Sequence, residues 1–131
     1  MRTARELGQA SMAAVEAHDR EAWLALFADD AVVEDPIGPS AFDPEGEGHR
    51  GIEAIAAFYD KVIAVNESIR FTIHQSILCA DEAANVGIIR ITFTGGSAVE
   101  VDGVYIYRRS PEGRIASLRA FWEPEAIRSV P

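Results

Sequence analysis

Apolar residues recur every three to four positions through the first half of the chain and every second position through the second half. Leu7, Ala10, Ser11, Ala14, Val15 and His18 fall on one helical face. That spacing predicts a helix over 3–18 with Ser11 on its buried stripe. Asp19 is placed to cap a second helix over 20–28, which carries Trp23, Leu26 and Phe27 inward and ends at Asp29-Asp30. Residues 31–35 read as a short strand stopped by Pro36, and alternation puts Val33 and Asp35 on one face with Val32 and Glu34 on the other. Residues 36–50 hold Pro36, Pro39, Pro44, Gly38, Gly46 and Gly48 and read as one long loop, a lid or a rim. A third helix follows over about 51–65, with Ile52, Ile55, Ala56, Tyr59 and Ile63 as its buried stripe.

The second half reads as strands. Ile69, Phe71 and Ile73 alternate with Arg70, Thr72 and His74, and Gly87, Ile89, Ile91 and Phe93 alternate with Ile88, Arg90 and Thr92. Gly95-Gly96 marks a turn. Val99, Val101, Gly103, Tyr105 and Tyr107 then share one face, and Leu118, Ala120 and Trp122 share another beyond a turn at Ser110-Pro111-Glu112-Gly113. Helices first and antiparallel strands after them make an α+β layout, in which three helices on one face of a curved sheet enclose an apolar pocket. No repeat or linker divides the chain, so 1–131 is expected to be a single domain.

Charge narrows the partners. Lys and Arg total 12 against 21 Asp and Glu, a formal net charge of −9, and such a field repels nucleic acid and anionic membrane. No apolar run approaches the ~20 residues of a membrane span, and the N-terminus shows no apolar signal core. A single Cys79 excludes an internal disulfide framework and fits a reducing, cytoplasmic setting. His18, His49 and His74 are scattered over different elements, and no glycine-rich phosphate loop follows a strand. No metal or cofactor is indicated.

Asp35 is the sharpest candidate for chemistry. On a core face, beside two valines, its carboxylate is desolvated and becomes a stronger base. The competing reading is a strand-end aspartate that caps the turn at Pro36. Tyr59, Tyr105 and Tyr107 read first as core aromatics, although a tyrosine hydroxyl in a pocket can stabilise an oxyanion. Glu34 and Asp35 are neighbours on a strand and point apart, so they do not form a paired acid and base.

At these residues the chain resembles the ketosteroid isomerase branch of the cone-shaped nuclear transport factor 2-like (SnoaL-like) superfamily. The segment from Ala28 through Val33, Glu34, Asp35 and Pro36 to Gly38 is similar to that branch's base-bearing strand. Ile55-Ala56-Ala57-Phe58-Tyr59 resembles its third helix, and Gly113-Arg114-Ile115 with Ala120-Phe121-Trp122 resembles its last strand. The resemblance implies three N-terminal helices packed on a strongly curved, mixed but mainly antiparallel sheet. It also implies a homodimer and a deep apolar cavity for a small hydrophobic, steroid-like ligand. It places Asp35 as a proton-shuttling base that moves a double bond of a 3-oxo-Δ5-steroid into conjugation through a dienolate. A first-helix tyrosine and a protonated late-strand aspartic acid hold the dienolate oxygen in that branch, where the neutral acid is a documented feature.

The donors differ here. Counting back without gaps from Asp35 puts Ser11 at the tyrosine position, and the first helix has no tyrosine. The late-strand aspartate falls on Tyr105, or on Gly103 if the turn is two residues longer; Asp102 beside it turns inward only with a β-bulge. Tyr105 is the best substitute donor, and Tyr59 matches a tyrosine that supports the oxyanion network. The expected lining is Val15, Phe58, Val101, Gly103, Leu118 and Trp122. A non-catalytic binder of steroids or other small hydrophobic ligands is the alternative. An epoxide hydrolase or polyketide cyclase of the same fold is a second; that chemistry needs an arginine between two inward carboxylates, and neither Arg90 nor Arg119 has such a pair in phase.

Overall fold

A computed structural model describes all 131 residues. Helix α1 spans Ala4–Glu16, started by a capping box in which the Thr3 hydroxyl accepts from the Glu6 backbone and the Glu6 carboxylate accepts from the Thr3 backbone. Helix α2 spans Arg20–Ala25, capped by Asp19. Strand β1 spans Phe27–Glu34 and β2 spans His49–Arg50. Helix α3 spans Ile52–Phe58, and its end widens into a π-helical segment, Tyr59–Ile63. Strands β3 (Ser68–Cys79), β4 (Glu82–Thr92), β5 (Ala98–Arg109) and β6 (Ile115–Phe121) follow, then β7 (Arg128–Val130). The sheet runs β2-β1-β6-β5-β4-β3, with β7 added to β5. Only β1 and β6 are parallel, so the sheet is mixed and mainly antiparallel. No helix is long and apolar enough to cross a membrane.

Several boundaries differ from the sequence expectation. Phe27, with helical spacing, is instead the first residue of β1, fully buried opposite Ile115 of β6. Pairing across the sheet overrides a local helical preference in so short a helix. Asp29 and Asp30 lie within β1 as exposed positions rather than at a helix end. The 36–50 segment is not wholly irregular, since His49 and Arg50 pair with Val33 and Val32. The last residues add β7, for which no alternating pattern stands out.

The inner face follows the period-two pattern. Val33, Ile69, Ile89, Val101, Tyr105, Tyr107, Leu118 and Ala120 join Leu7, Val15, Trp23, Ile55 and Phe58 in one buried cluster. Gly87 and Gly103 stand opposite each other on β4 and β5, and β3 carries a register shift between Ile73 and Gln75. A Cβ at Gly87 would fall 2.1 Å from the Thr72 carbonyl oxygen. The strands approach closely here because the paired glycines lack side chains, which bends the sheet around the helices.

Candidate functional site

Between the helices and the bent sheet lies a cavity of about 690 Å³, and 20 of its 28 lining residues are hydrophobic. That size and lining suit an apolar small molecule held by a few polar groups. Those groups are Asp35, Tyr105, Tyr107 and Ser11, with Trp23 and Trp122 as indole donors; Ser40, Lys61, Asn66 and Thr94 complete the polar lining, Lys61 and Thr94 being exposed. Phe42, Val65, Phe93 and Ile127 also line it and are all at least 40% exposed, so they mark the mouth. Phe42 comes from the 36–50 segment, which therefore forms part of the rim.

Asp35 sits one residue past β1, on the face it shares with buried Val33. β1 runs parallel to β6 with Val33 opposite Leu118 and Glu34 opposite Arg119, so Asp35 falls level with Ala120, and Trp122 lies two positions further along, just past the end of β6. The Trp122 indole Nε1–H donates to Asp35 Oδ1 at 2.6 Å. Burial raises the Asp35 carboxyl above its ordinary range; the Trp122 hydrogen bond and the nearby His49 oppose that rise in part. A desolvated carboxylate at a cavity wall is a base tuned upward toward neutral pH. His49 is positioned by packing on Phe58, ring centroids 4.7 Å apart.

Tyr105 is 3% exposed, and its hydroxyl is a buried polar atom without a hydrogen-bond partner. Its ring meets Phe71 edge-on at 6.1 Å, and its carbonyl accepts from the buried Asn85 amide at 3.1 Å. A Cβ at Gly103 would fall 2.6 Å from the Tyr105 hydroxyl. The Tyr105 side chain thus leans back along its strand and sets its hydroxyl in the space that a side chain at 103 would occupy. The two late-strand registers left open by the sequence therefore meet in one group. Burial raises the Tyr105 phenol, with Asp35, Tyr107 and Asp102 adding to the rise, so it stays a neutral donor.

At the cavity floor, Ser11 is 1% exposed. Its Oγ accepts from Trp23 Nε1 at 3.0 Å and from the Tyr107 hydroxyl at 3.2 Å. Burial also raises the Tyr107 phenol, which the Ser11 contact lowers and Asp35 raises. The structure thus brings Asp35, Tyr105, Ser11, Val15, Phe58, Val101, Leu118 and Trp122 to one cavity. Gly103 is absent from that lining because the Tyr105 hydroxyl covers its inner side, and it borders a shallow groove on the outer face. Tyr59 is not in the lining either; it is buried against Trp23 with centroids 5.4 Å apart. Asp102 points outward and pairs with Arg128 at 3.0 Å. Arg90 pairs with Glu100, and Arg119 with Glu34, with none of the four in the cavity lining. The sequence reads Tyr107 first as a core aromatic in the inward phase of β5, and the structure adds it to the cavity; Asn85 carries no signal in the sequence.

Residues 9–118 match the SnoaL-like domain family. The crystal structure of Rv0760c from Mycobacterium tuberculosis is 39% identical over 99% of each chain, with a TM-score of 0.91. Rv0760c in complex with estradiol-17β-hemisuccinate is 41% identical over 95% of this chain and 97% of that one, with a TM-score of 0.89. A Δ5-3-ketosteroid isomerase from a Mycobacterium species is 40% identical over 95% of each chain, also with a TM-score of 0.89.

Proposed function

Because this chain belongs to the SnoaL-like domain family, we propose that its cavity binds a 3-oxo-Δ5-steroid or a close relative and moves the double bond into conjugation. The observation that supports this most is the pairing of a desolvated carboxylate, Asp35, with an unpartnered buried hydroxyl, Tyr105, in one apolar cavity.

Asp35 takes a proton from the carbon between the ketone and the β,γ-double bond. The C–H electron pair forms a new C=C bond, and the carbonyl electrons move onto oxygen to give a dienolate. The neutral Tyr105 hydroxyl donates to that oxygen where its charge develops. Asp35, now protonated, returns the proton to the γ-carbon; the enolate collapses to the ketone, and the double bond lies in conjugation. Proton transfer also removes the Asp35 charge that raises the Tyr105 phenol. The phenol therefore becomes a better donor at the step that needs it. The apolar walls exclude water, so the same carboxyl keeps the proton between its two transfers.

An ultraviolet assay for conjugated enone from a 3-oxo-Δ5-steroid tests this reading. Turnover is the expected result. Saturable quenching of tryptophan fluorescence by the steroid without turnover would leave only a binding protein, the reading favoured by the lack of a first-helix tyrosine.

Trp122 should set the pH dependence. Its N–H lowers the Asp35 pKa against the effect of burial. In Trp122→Phe that donor is gone, so the Asp35 pKa rises further. The base is active only when ionised, so the acid limb of the kcat/KM profile should move to higher pH. An unmoved limb would show that Asp35 is not the titrating base. The outer groove lined by Val86, Val104 and Phe121 is the face expected to pair in a homodimer. Sedimentation velocity should show the dimer, and Val104→Glu should shift it toward monomer.

A further inference from the structure

The first helix lacks a tyrosine, but the cavity floor does not lack a tyrosine hydroxyl. The Tyr107 hydroxyl reaches across from β5 to the place where α1 presents only Ser11, and the two oxygens are 3.2 Å apart. Room for this comes from α1 itself. A Cβ at Gly8 would fall 2.8 Å from Tyr107 Cδ1, so the tyrosine ring lies against a bare stretch of helix. Gly8 and Ser11 are three residues apart and so lie on one face, the face that receives Tyr107. A longer side chain at either position would compete with the ring or its hydroxyl.

The hydrogen bonds at Ser11 give the arrangement a direction. An indole N–H only donates, so the bond from Trp23 occupies a lone pair on Ser11 Oγ. Ser11 still carries a hydrogen of its own, and Tyr107 is its other hydrogen-bonded neighbour. In the structure Tyr107 donates to Ser11. Hydroxyl hydrogens turn about their C–O bonds at little cost. When an acceptor oxygen reaches Tyr107, Ser11 can donate to the Tyr107 oxygen and free the phenolic hydrogen for the ligand. No heavy atom has to move. The chain then runs from Trp23 to Ser11 to Tyr107 to ligand, each bond polarising the next.

We propose that Tyr107 is a second donor to the oxygen of the bound ketone and that Ser11 positions it, so that a strand tyrosine does the work of a helix tyrosine. This rests on the isomerase reading for its catalytic part but not for its binding part. The raised phenol of Tyr107 keeps it protonated, as a donor must be.

Tyr107→Phe keeps the ring packed on Gly8 and removes only the hydroxyl. Its kcat should fall ~10²–10³-fold, the usual loss for one oxyanion donor, while KM stays within about threefold, as expected for an interaction made in the transition state. Estradiol, whose phenolic oxygen stands in for the dienolate oxygen, should bind roughly fivefold to tenfold more weakly. Ser11→Ala keeps the Tyr107 hydroxyl but cuts its support. The melting temperature should fall because the buried Trp23 N–H loses its acceptor. Its kcat should fall about tenfold with KM within about threefold, a split that lost stability alone would not produce. Parental kcat and parental estradiol affinity in Tyr107→Phe would overturn the proposal. If Tyr107→Phe does not fold, an unchanged kcat in Ser11→Ala overturns it and a reduced one supports it. If the parent binds estradiol but turns over no 3-oxo-Δ5-steroid, the isomerase reading fails; the estradiol affinities of Tyr107→Phe and Ser11→Ala against the parent then decide the donor.

Discussion

Asp35→Asn is expected to lose turnover by ~10⁴-fold, the upper end of what a positioned general base contributes, while gaining thermal stability at neutral pH. The amide has almost the shape of the carboxylate and keeps an Oδ1 to accept from Trp122, so the cavity should stay intact. It cannot accept the substrate proton. The stability gain follows from the direction of the Asp35 shift. Burial raises its folded pKa above its unfolded value. A group raised in this way stabilises the fold below the unfolded pKa, ~3.9 for aspartate, and that contribution is lost as pH rises through the folded pKa. At neutral pH the parent therefore carries a desolvated charge that the asparagine does not. Melting temperatures measured from pH 4 to pH 8 should converge at the acid end and separate toward the alkaline end, with the variant above the parent. Estradiol binding should be retained, because asparagine resembles the protonated state of Asp35 that faces the dienolate. Turnover within tenfold of the parent would remove Asp35 from the mechanism.

Much of this site is legible in the chain. Strand alternation puts Val33 with Asp35, and Leu118 with Ala120 and Trp122, on inward faces, and the structure sets both groups side by side because β1 and β6 pair in parallel. Period-two patterning is reliable here because one face is buried, and a slip of one residue would expose every apolar side chain on it. Helical spacing likewise finds Ser11 and Val15. What escapes is anything that depends on where a long side chain ends. Tyr59 continues the buried stripe of α3 into the π-helical segment, yet its ring packs on Trp23 outside the cavity lining, and its phenol is raised by burial and acted on by Asp19, Arg20 and Asp60, none of which lines the cavity. Tyr105 and Tyr107 are alike in sequence, but one leans back over Gly103 and the other crosses to α1 beside Gly8. Tyr107 is steered by a glycine on another element, and Tyr105 by one two residues back on its own strand. No local pattern encodes such a pairing, because the information lies in an absent side chain opposite a present one.

That steering also accounts for a polar cost in an otherwise apolar core. Trp23, Ser11 and Tyr107 satisfy one another, whereas the Tyr105 hydroxyl has no partner. Native interiors pair nearly all their buried polar groups, so an orphan is informative. Here it faces the same cavity as the one carboxylate in the lining, and Gly103 is kept bare to make room for it.

Tyr105→Phe is therefore expected to move stability and activity in opposite directions. Leaving a buried hydroxyl unsatisfied costs about 1–3 kcal/mol. Phenylalanine fills the same ring volume, keeps the edge contact with Phe71 and removes that cost. The variant should be more stable by about 1 kcal/mol, read as a higher midpoint in urea at unchanged slope. Its kcat should fall ~10²–10³-fold, since the lost hydroxyl is the donor aimed at the developing oxyanion. Gly103→Ala supplies the complement. Its methyl would stand 2.6 Å from the Tyr105 hydroxyl and 2.9 Å from the Phe121 carbonyl oxygen. It should push the hydroxyl aside and strain the strand, so turnover and stability fall together. Opposite stability changes with the same loss of turnover would separate the position of the hydroxyl from its packing. A Tyr105→Phe protein that is less stable than the parent would mean that the hydroxyl already has a partner in the folded protein, and one with parental kcat would mean that the oxyanion is held elsewhere.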